Sequence, residues 1–290
     1  MTTEHGDSDA RLTEQVVASF ASTQDARLRT LMQSLVRHVH AFVRETELTE
    51  AEWMAAIGFL TETGKMCDDV VRQEFILLSD TLGVSMLVDR INHRFATGAT
   101  ETTVFGPFYI EGMPDRAYGE NMAFTPGTPV VVHGRVLTTD GAPVPDAVLD
   151  VWQTAENGMY SGQDTEQPHG NLRGRYHADA EGRYAIVTIL PVSYPIPTDG
   201  PVGKMLDATG RHPWRPAHLH FMIDAPGHRT LVTHLFDKND KYLHSDAVFG
   251  VKPSLMVSYR ECPGGDELAR RFNLNGPYRE ANYDFVLDRS

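Results

Sequence analysis

The sequence predicts an α+β chain in which a helical N-terminal region, residues 1–101, precedes an antiparallel β-sandwich over residues 102–290. Two observations carry this. Up to about Arg94 apolar residues recur at spacings of three and four. From Thr102 proline and glycine become frequent, and short β-branched runs alternate with turns, as sandwiches require.

Leu28, Leu31, Leu35, Val39 and Phe42 share one face of a first helix. Thr49 and Glu52 have the spacing of a capping box and open a second, with Trp53, Ile57 and Leu60 following at helical intervals. A third runs through Val70, Glu74, Leu77 and Leu78, and Asp80 and Gly83 mark a break before Met86, Leu87 and Ile91. Strands are expected in Val130 to Leu137 and Ala147 to Trp152, with Asp140-Gly141, Glu156-Asn157-Gly158 and Glu181-Gly182 supplying turns. Two long loops remain, Tyr160 to Tyr176 and the proline-rich Ser193 to Pro216; loops of that length are either functional or an argument against the assignment.

A net charge of -13 argues against a nucleic-acid partner, which needs basic surface to displace counterions. No stretch approaches the roughly 20 apolar residues that cross a bilayer, and Met1 to Ala10 is polar and acidic, so a soluble, cytoplasmic protein with no membrane partner is expected. The two cysteines, Cys67 and Cys262, are too few and too far apart for a disulfide framework and read as free thiols.

In Ala217 to Asp224 strand alternation places His218, His220 and Met222 on one face and Leu219, Phe221 and Ile223 on the other. Two imidazoles on neighbouring same-face positions can share one metal ion, although such a pair is more often simply hydrogen-bonded. His38 and His40, two apart in a helix, do not share a face and read as surface residues. The common zinc patterns are missing, which leaves zinc unsupported without excluding it, and Asp224-Ala225-Pro226 fits a cupin-type iron or manganese site poorly. Taken singly, Tyr160 and Tyr194 read as packed rings, Arg215 as a surface salt-bridge residue and Asp80 as a cap or turn residue.

The order Tyr160, Tyr194, His218, His220, with Arg215 three residues before the first histidine, resembles the intradiol ring-cleavage dioxygenases, as do Glu156 to Gly162, Ser193 to Pro197 and Arg211 to Phe221 around them. The likeness covers nearly the whole chain. Three further segments, Thr103 to Phe108, Asp199 to Gly203 with Ala208 to His212, and Leu231 to Phe236, are similar to the branch of that family acting on hydroxyquinol, benzene-1,2,4-triol. The resemblance implies a prealbumin-like sandwich as catalytic domain and one Fe(III) per subunit, without haem or nucleotide, bound by Tyr160, Tyr194, His218 and His220. It further implies catalytic roles for Arg215 and Tyr194, and a substrate pocket of Leu77, Asp80, Val104, Gly106, Pro107, Phe108, Ile196, Pro197, Arg215, His234 and Val248. Catechol-specific relatives usually carry glutamine where His234 stands.

An aromatic diol or triol and O2 would then be the reactants, with a hydroxymuconate or its tautomer maleylacetate as product in aromatic-compound catabolism. A homodimer through the N-terminal helices, with a phospholipid in an apolar channel there, is implied in the same way. Two phenolates and a hydroxide would balance the charge of ferric iron. Catechol or chlorocatechol cleavage is the alternative reading of the same site. A non-enzymatic alternative starts from Val130 to Trp152, similar to prealbumin-like modules that only bind or scaffold; it explains about a third of the chain and leaves the four-ligand set unexplained.

Overall fold

The computed structural model describes residues 2–68 and 72–290, side chains of 2–7 excepted. The chain divides into two compact units, Met1–Glu62 and Thr63–Ser290. Val70, expected in the third helix, lies outside the described residues.

The first unit contains helix α1 (Thr2–Ser19), α2 (Ala26–Thr46) and most of α3 (Glu50–Lys65). Nothing in the apolar spacing announced α1. Its sequence is mostly polar, and the helix is held against α2 by a short buried stripe, Thr13 and Val17. Arg44 Nη1 donates to the Thr13 hydroxyl at 2.8 Å, and His40 Nδ1 lies 3.0 Å from the same oxygen, so His40 is partly buried while His38 is exposed as expected. Asp25 caps α2 by accepting the backbone N–H groups of Arg27 and Leu28. The capping box forms: Thr49 N–H donates to the Glu52 carboxylate at 2.9 Å and Glu52 N–H to Thr49 Oγ1 at 3.3 Å. The apolar face of α2 is not buried, and Leu28, Leu31, Leu35, Val39 and Phe42 are all half-exposed in the single chain.

The second unit opens with α4 (Glu74–Thr81) and α5 (Val84–Asn92), separated by Gly83 at φ +72°, where the sequence placed a break. The strands are β1 (Pro129–Thr138), β2 (Val148–Trp152), β3 (Arg173–His177), β4 (Arg183–Ile189) and β5 (Tyr194–Pro195), then, after α6 (Pro201–Ala208), β6 (Trp214–Arg215), β7 (His218–Asp224), β8 (Leu231–Asp237), β9 (Met256–Val257) and β10 (Arg260–Cys262). A short α7 (Glu267–Arg271) precedes β11 (Tyr278–Asn282) and β12 (Phe285–Leu287).

Two five-stranded sheets face each other. In one, β1 pairs antiparallel with β4 along its length, while its other edge takes β11 and then β12 in parallel; the second runs β3-β2-β7-β8-β9 and is antiparallel except where β8 meets β9. Alternation explains the core. Val130 and Val132 of β1, Leu149 and Val151 of β2, and Leu219, Phe221 and Ile223 of β7 fill the space between the sheets together with Ile186 and Phe285. Removing such side chains from water contributes roughly 1.5–3 kcal/mol each. Val131, pointing the other way, packs with Val187, Cys262, Ala269 and Tyr278, so β1 is apolar on both faces. Cys67 and Cys262 are free.

The Ser193 to Pro216 stretch is ordered by its own elements: β5 pairs with β6, and α6 begins at Pro201, whose fixed φ suits a first helical position. Glu74, fully buried, accepts the Val202 N–H at the start of α6 (3.1 Å) and pairs with Arg72 (2.7 Å), placing a carboxylate where the helix dipole favours it. Gly134 sits where β1 passes under the β11–β12 connection, and a Cβ there would lie 1.9 Å from the Tyr283 carbonyl oxygen. Gly134→Ala is therefore expected to destabilise the second unit at the upper end of the roughly 1–3 kcal/mol typical of overpacking. A urea midpoint equal to that of the parent chain would refute this.

Among the described residues no helix is long and apolar enough to cross a membrane.

Candidate active site

The face of β2-β7-β8 turned away from the core carries the site. Register sets Trp152 of β2 and His234 of β8 on either side of His220. The Trp152 and His220 rings stack at 4.7 Å, His234 lies 4.0 Å from His220, and it stacks on His218 at 4.6 Å, distances between ring centroids.

Two loops bring the tyrosines over this row. Tyr160 follows the turn at Glu156-Asn157-Gly158, and Tyr194 lies on β5 directly opposite Arg215 on β6. Gly158, at φ +78°, lets the two loops approach, since a Cβ there would lie 3.1 Å from Tyr194 Cβ. The Tyr160 hydroxyl is 3.0 Å from that of Tyr194 and 2.8 Å from His220 Nε2, and His220 Nε2 is 3.2 Å from His218 Nε2. Four residues spread over sixty positions thus aim two phenol oxygens and two imidazole nitrogens at one point.

The tautomer of His218 is set by its backbone. Its Nδ1 lies 2.6 Å from the Pro216 carbonyl, which can only accept, so Nδ1 carries the proton and Nε2 presents a lone pair to the cluster. Burial, reinforced by Arg215, pushes the His218 imidazole down to about 3, and burial, then the neighbouring histidines and Arg215, hold His220 and His234 well below their ordinary value. All three are neutral near pH 7 and able to act as ligands. Tyr160 is pushed well above the usual phenol range by burial and then by Tyr194, so without a cation it keeps its proton.

Arg215 is fully enclosed and held by Asp246, with Nε to Oδ1 at 3.1 Å and Nη2 to Oδ2 at 3.2 Å, while Nη1 lies 3.3 Å from His218 Nε2. Asp246 also accepts the backbone N–H groups of Val248 and Gly250. Arg215 holds the Asp246 carboxyl below its ordinary range although burial alone would raise it. Reasoning from sequence did not find Asp246: a single aspartate in a loop, 31 residues from Arg215, carries no periodicity or motif. Trp152 was read only as the end of a strand.

Of the residues that the resemblance placed in a substrate pocket, Leu77, Asp80, Pro107, Phe108 and Pro197 line one small cavity of about 80 Å³, together with Arg72, Gln73, Ile76 and Gln163, which sequence reasoning missed. Val104, Ile196 and Val248 are buried but do not line it. Asp80 is buried among Ser85, Arg215 and Asp246, and burial raises its carboxyl. His234 lies fully buried at the heart of the histidine row, with no well-formed hydrogen bond to either ring nitrogen among the described residues and the Val104 backbone as a polar group beside the ring.

Gly106 stands against the ligand face, at φ +77° with a Cβ position 3.2 Å from His220 Cε1. Gly112 offers a control, since it has φ +75° and nothing within 4 Å of its Cβ position. Both alanine variants are expected to lose about 1–2 kcal/mol from left-handed strain, but only Gly106→Ala is expected to lower kcat as well, by about tenfold or more. Equal kcat in the two variants would show that the Gly106 contact does not position His220.

A family model described as Dioxygenase matches residues 104–289, and one described as Catechol dioxygenase N terminus matches residues 25–100. The chain belongs to the intradiol ring-cleavage dioxygenases, a family of enzymes that generally depends on non-haem iron. Within it, the chain is 51% identical over 278 residues to the 6-chlorohydroxyquinol 1,2-dioxygenase of Cupriavidus pinatubonensis, with 96% of each chain covered. It is 47% identical to the hydroxyquinol 1,2-dioxygenase of a Rhizobium species, covering 97% of this chain and 96% of that one. The solved structure of hydroxyquinol 1,2-dioxygenase from Pseudomonas putida superposes with a TM-score of 0.95 at 64% identity, over 98% of this chain and 100% of that one.

Proposed function

We propose that the chain cleaves hydroxyquinol between its adjacent hydroxyls with O2 at one Fe(III), inserting both oxygen atoms to give 3-hydroxy-cis,cis-muconate, which tautomerises to maleylacetate. The carrying observation is the convergence of the Tyr160 and Tyr194 oxygens with the Nε2 atoms of His218 and His220. That donor set fits ferric iron: phenol oxygens suit a hard trivalent cation, the imidazoles are neutral, and the His218 tautomer is already set. When bound, the ion acts as a Lewis acid that favours doubly deprotonated substrate and makes the ring reactive toward O2.

The protein's own residues do the rest. Tyr194 Oη, a phenolate when it ligates the cation, would take up one of the two substrate protons and hydroxide the other, leaving as water, so that the total charge at the site stays unchanged as the diol ionises. Arg215, pinned by Asp246, presents a fixed cation to negative charge developing on the ring. Leu77, Val104, Gly106, Pro107, Phe108, Ile196, Pro197 and Val248 exclude water from the reacting face, and Asp80 meets the third hydroxyl. His234, at the heart of the histidine row, donates to the bound substrate.

Residues 102–290 form the catalytic domain in this reading, and residues 1–101 carry the homodimer contact. The half-exposed stripe of α2 supports the dimer, and a groove lined by Leu12, Val39, His40, Val43, Arg44 and Trp53 suits the acyl chains and headgroup of a phospholipid. Two free thiols accord with a cytoplasmic setting.

Protein reconstituted with Fe(III) is expected to show a phenolate-to-iron charge-transfer colour that shifts on anaerobic addition of hydroxyquinol and bleaches when O2 is admitted. Faster turnover of catechol would overturn the substrate, and a colourless iron-loaded protein would overturn the ligand set.

A further inference from the structure

Two arginines enter the second sheet at β3, two residues apart on one face. Arg175 is neutralised by Asp150, with Nε–Oδ1 and Nη2–Oδ2 both at 2.8 Å. Arg173 is buried more deeply, yet no carboxylate pairs with it among the described residues. Its donors go elsewhere. Nε binds the Ser161 hydroxyl at 2.8 Å, Nη2 the Ser161 carbonyl at 3.0 Å, and Nη1 the Phe108 carbonyl at 2.7 Å.

A buried guanidinium without a counter-ion costs several kcal/mol, so its retention in the wall of a site calls for an account. The geometry supplies one. Ser161 is the residue next to Tyr160, and Phe108 lies flat on the Tyr160 ring, centroids 4.5 Å apart at 22°. One planar fork therefore grips the backbone on both sides of that ring, and the guanidinium carbon lies 5.9 Å from the ring centroid. Burial pushes Arg173 down to about 10, which still leaves it charged at neutral pH.

We infer that Arg173 is a positioning residue that locks the Tyr160 ligand to the Phe108 wall of the substrate pocket and sets a permanent positive charge beside the Tyr160 ring. The two roles separate chemically, because a lysine keeps the charge but lacks the three-donor fork. The inference rests on the reading of Tyr160 as an iron ligand, and that reading is tested first and independently by the colour of the iron-loaded parent protein.

The test compares iron-loaded parent, Arg173→Lys and Arg173→Gln, each checked for iron content. Loss of a cation near a phenolate raises the donor level, so Arg173→Gln is expected to move the charge-transfer band to longer wavelength, and Arg173→Lys to return it to the parent position. KM is expected to rise about tenfold in both variants, matching one lost charge-assisted hydrogen bond to the pocket wall, with a smaller change in kcat. An unmoved band in Arg173→Gln would overturn the electrostatic role, and a parental KM in Arg173→Lys the positioning role. If Arg173→Gln does not fold, Arg173→Lys still decides: its KM tests the fork, and a shifted band despite the retained charge contradicts the electrostatic role.

Discussion

Tyr160→Phe is expected to lose iron-dependent colour and at least about 100-fold in ring cleavage while keeping its fold. Removing a partner that only supports a ligand already costs 10–100-fold in such sites, and a ligand oxygen should cost at least the upper end. The stability change should be small by comparison. The hydroxyl contacts Tyr194 and His220, and its removal leaves both with one neighbour fewer, about 1–2 kcal/mol, while the ring keeps its stack on Phe108. Visible spectra, iron content and a denaturant titration on one preparation separate these effects. A variant that keeps colour and turnover would remove Tyr160 from the ligand set.

Arg215→Met is expected to lower kcat by about 10²–10³, the usual loss when a preorganised charge is taken from a developing anion. The structure adds a second consequence that sequence reasoning did not foresee. Asp246 would be left buried and unpaired, costing about 3–5 kcal/mol, so the single variant confounds catalysis with folding. Combining Arg215→Met with Asp246→Asn should restore part of the stability, because it removes the buried unpaired charge and leaves one amide oxygen to accept from either the Val248 or the Gly250 N–H, which bond different carboxylate oxygens in the parent, without restoring kcat. The pair also predicts a pH dependence. The folded-state value of Asp246 is depressed, so its stabilisation is present above the ordinary carboxylate range and is lost as pH falls through and below it. The double variant should lack this component of acid sensitivity. Recovery of kcat in the double variant would assign the catalytic loss to misfolding instead of charge.

Parts of the fold governed by neighbours in sequence were legible. Thr49 and Glu52 cap α3 because their reach spans three residues, and β7 keeps Leu219, Phe221 and Ile223 inward because strand alternation is a property of the backbone. The break at Gly83 needed only a residue at ease with positive φ. By contrast α1, held by a few residues against α2, left too short an apolar stripe to be seen, and the Ser193 to Pro216 loop concealed α6, whose first turn depends on Glu74 more than a hundred residues away.

The sequence by itself determined the order of elements, the outward face of β7 that carries His218 and His220, and, through resemblance, which two tyrosines to set beside them. Only the tertiary structure decided that Asp246 anchors Arg215, that Arg173 has no acid partner among the described residues, that His234 completes a buried row with His218 and His220, and that α2 leaves its apolar stripe open. Short-range preferences are written in adjacent residues, whereas these pairings arise from strand register and loop approach across the sheet, which close only when the whole core is buried.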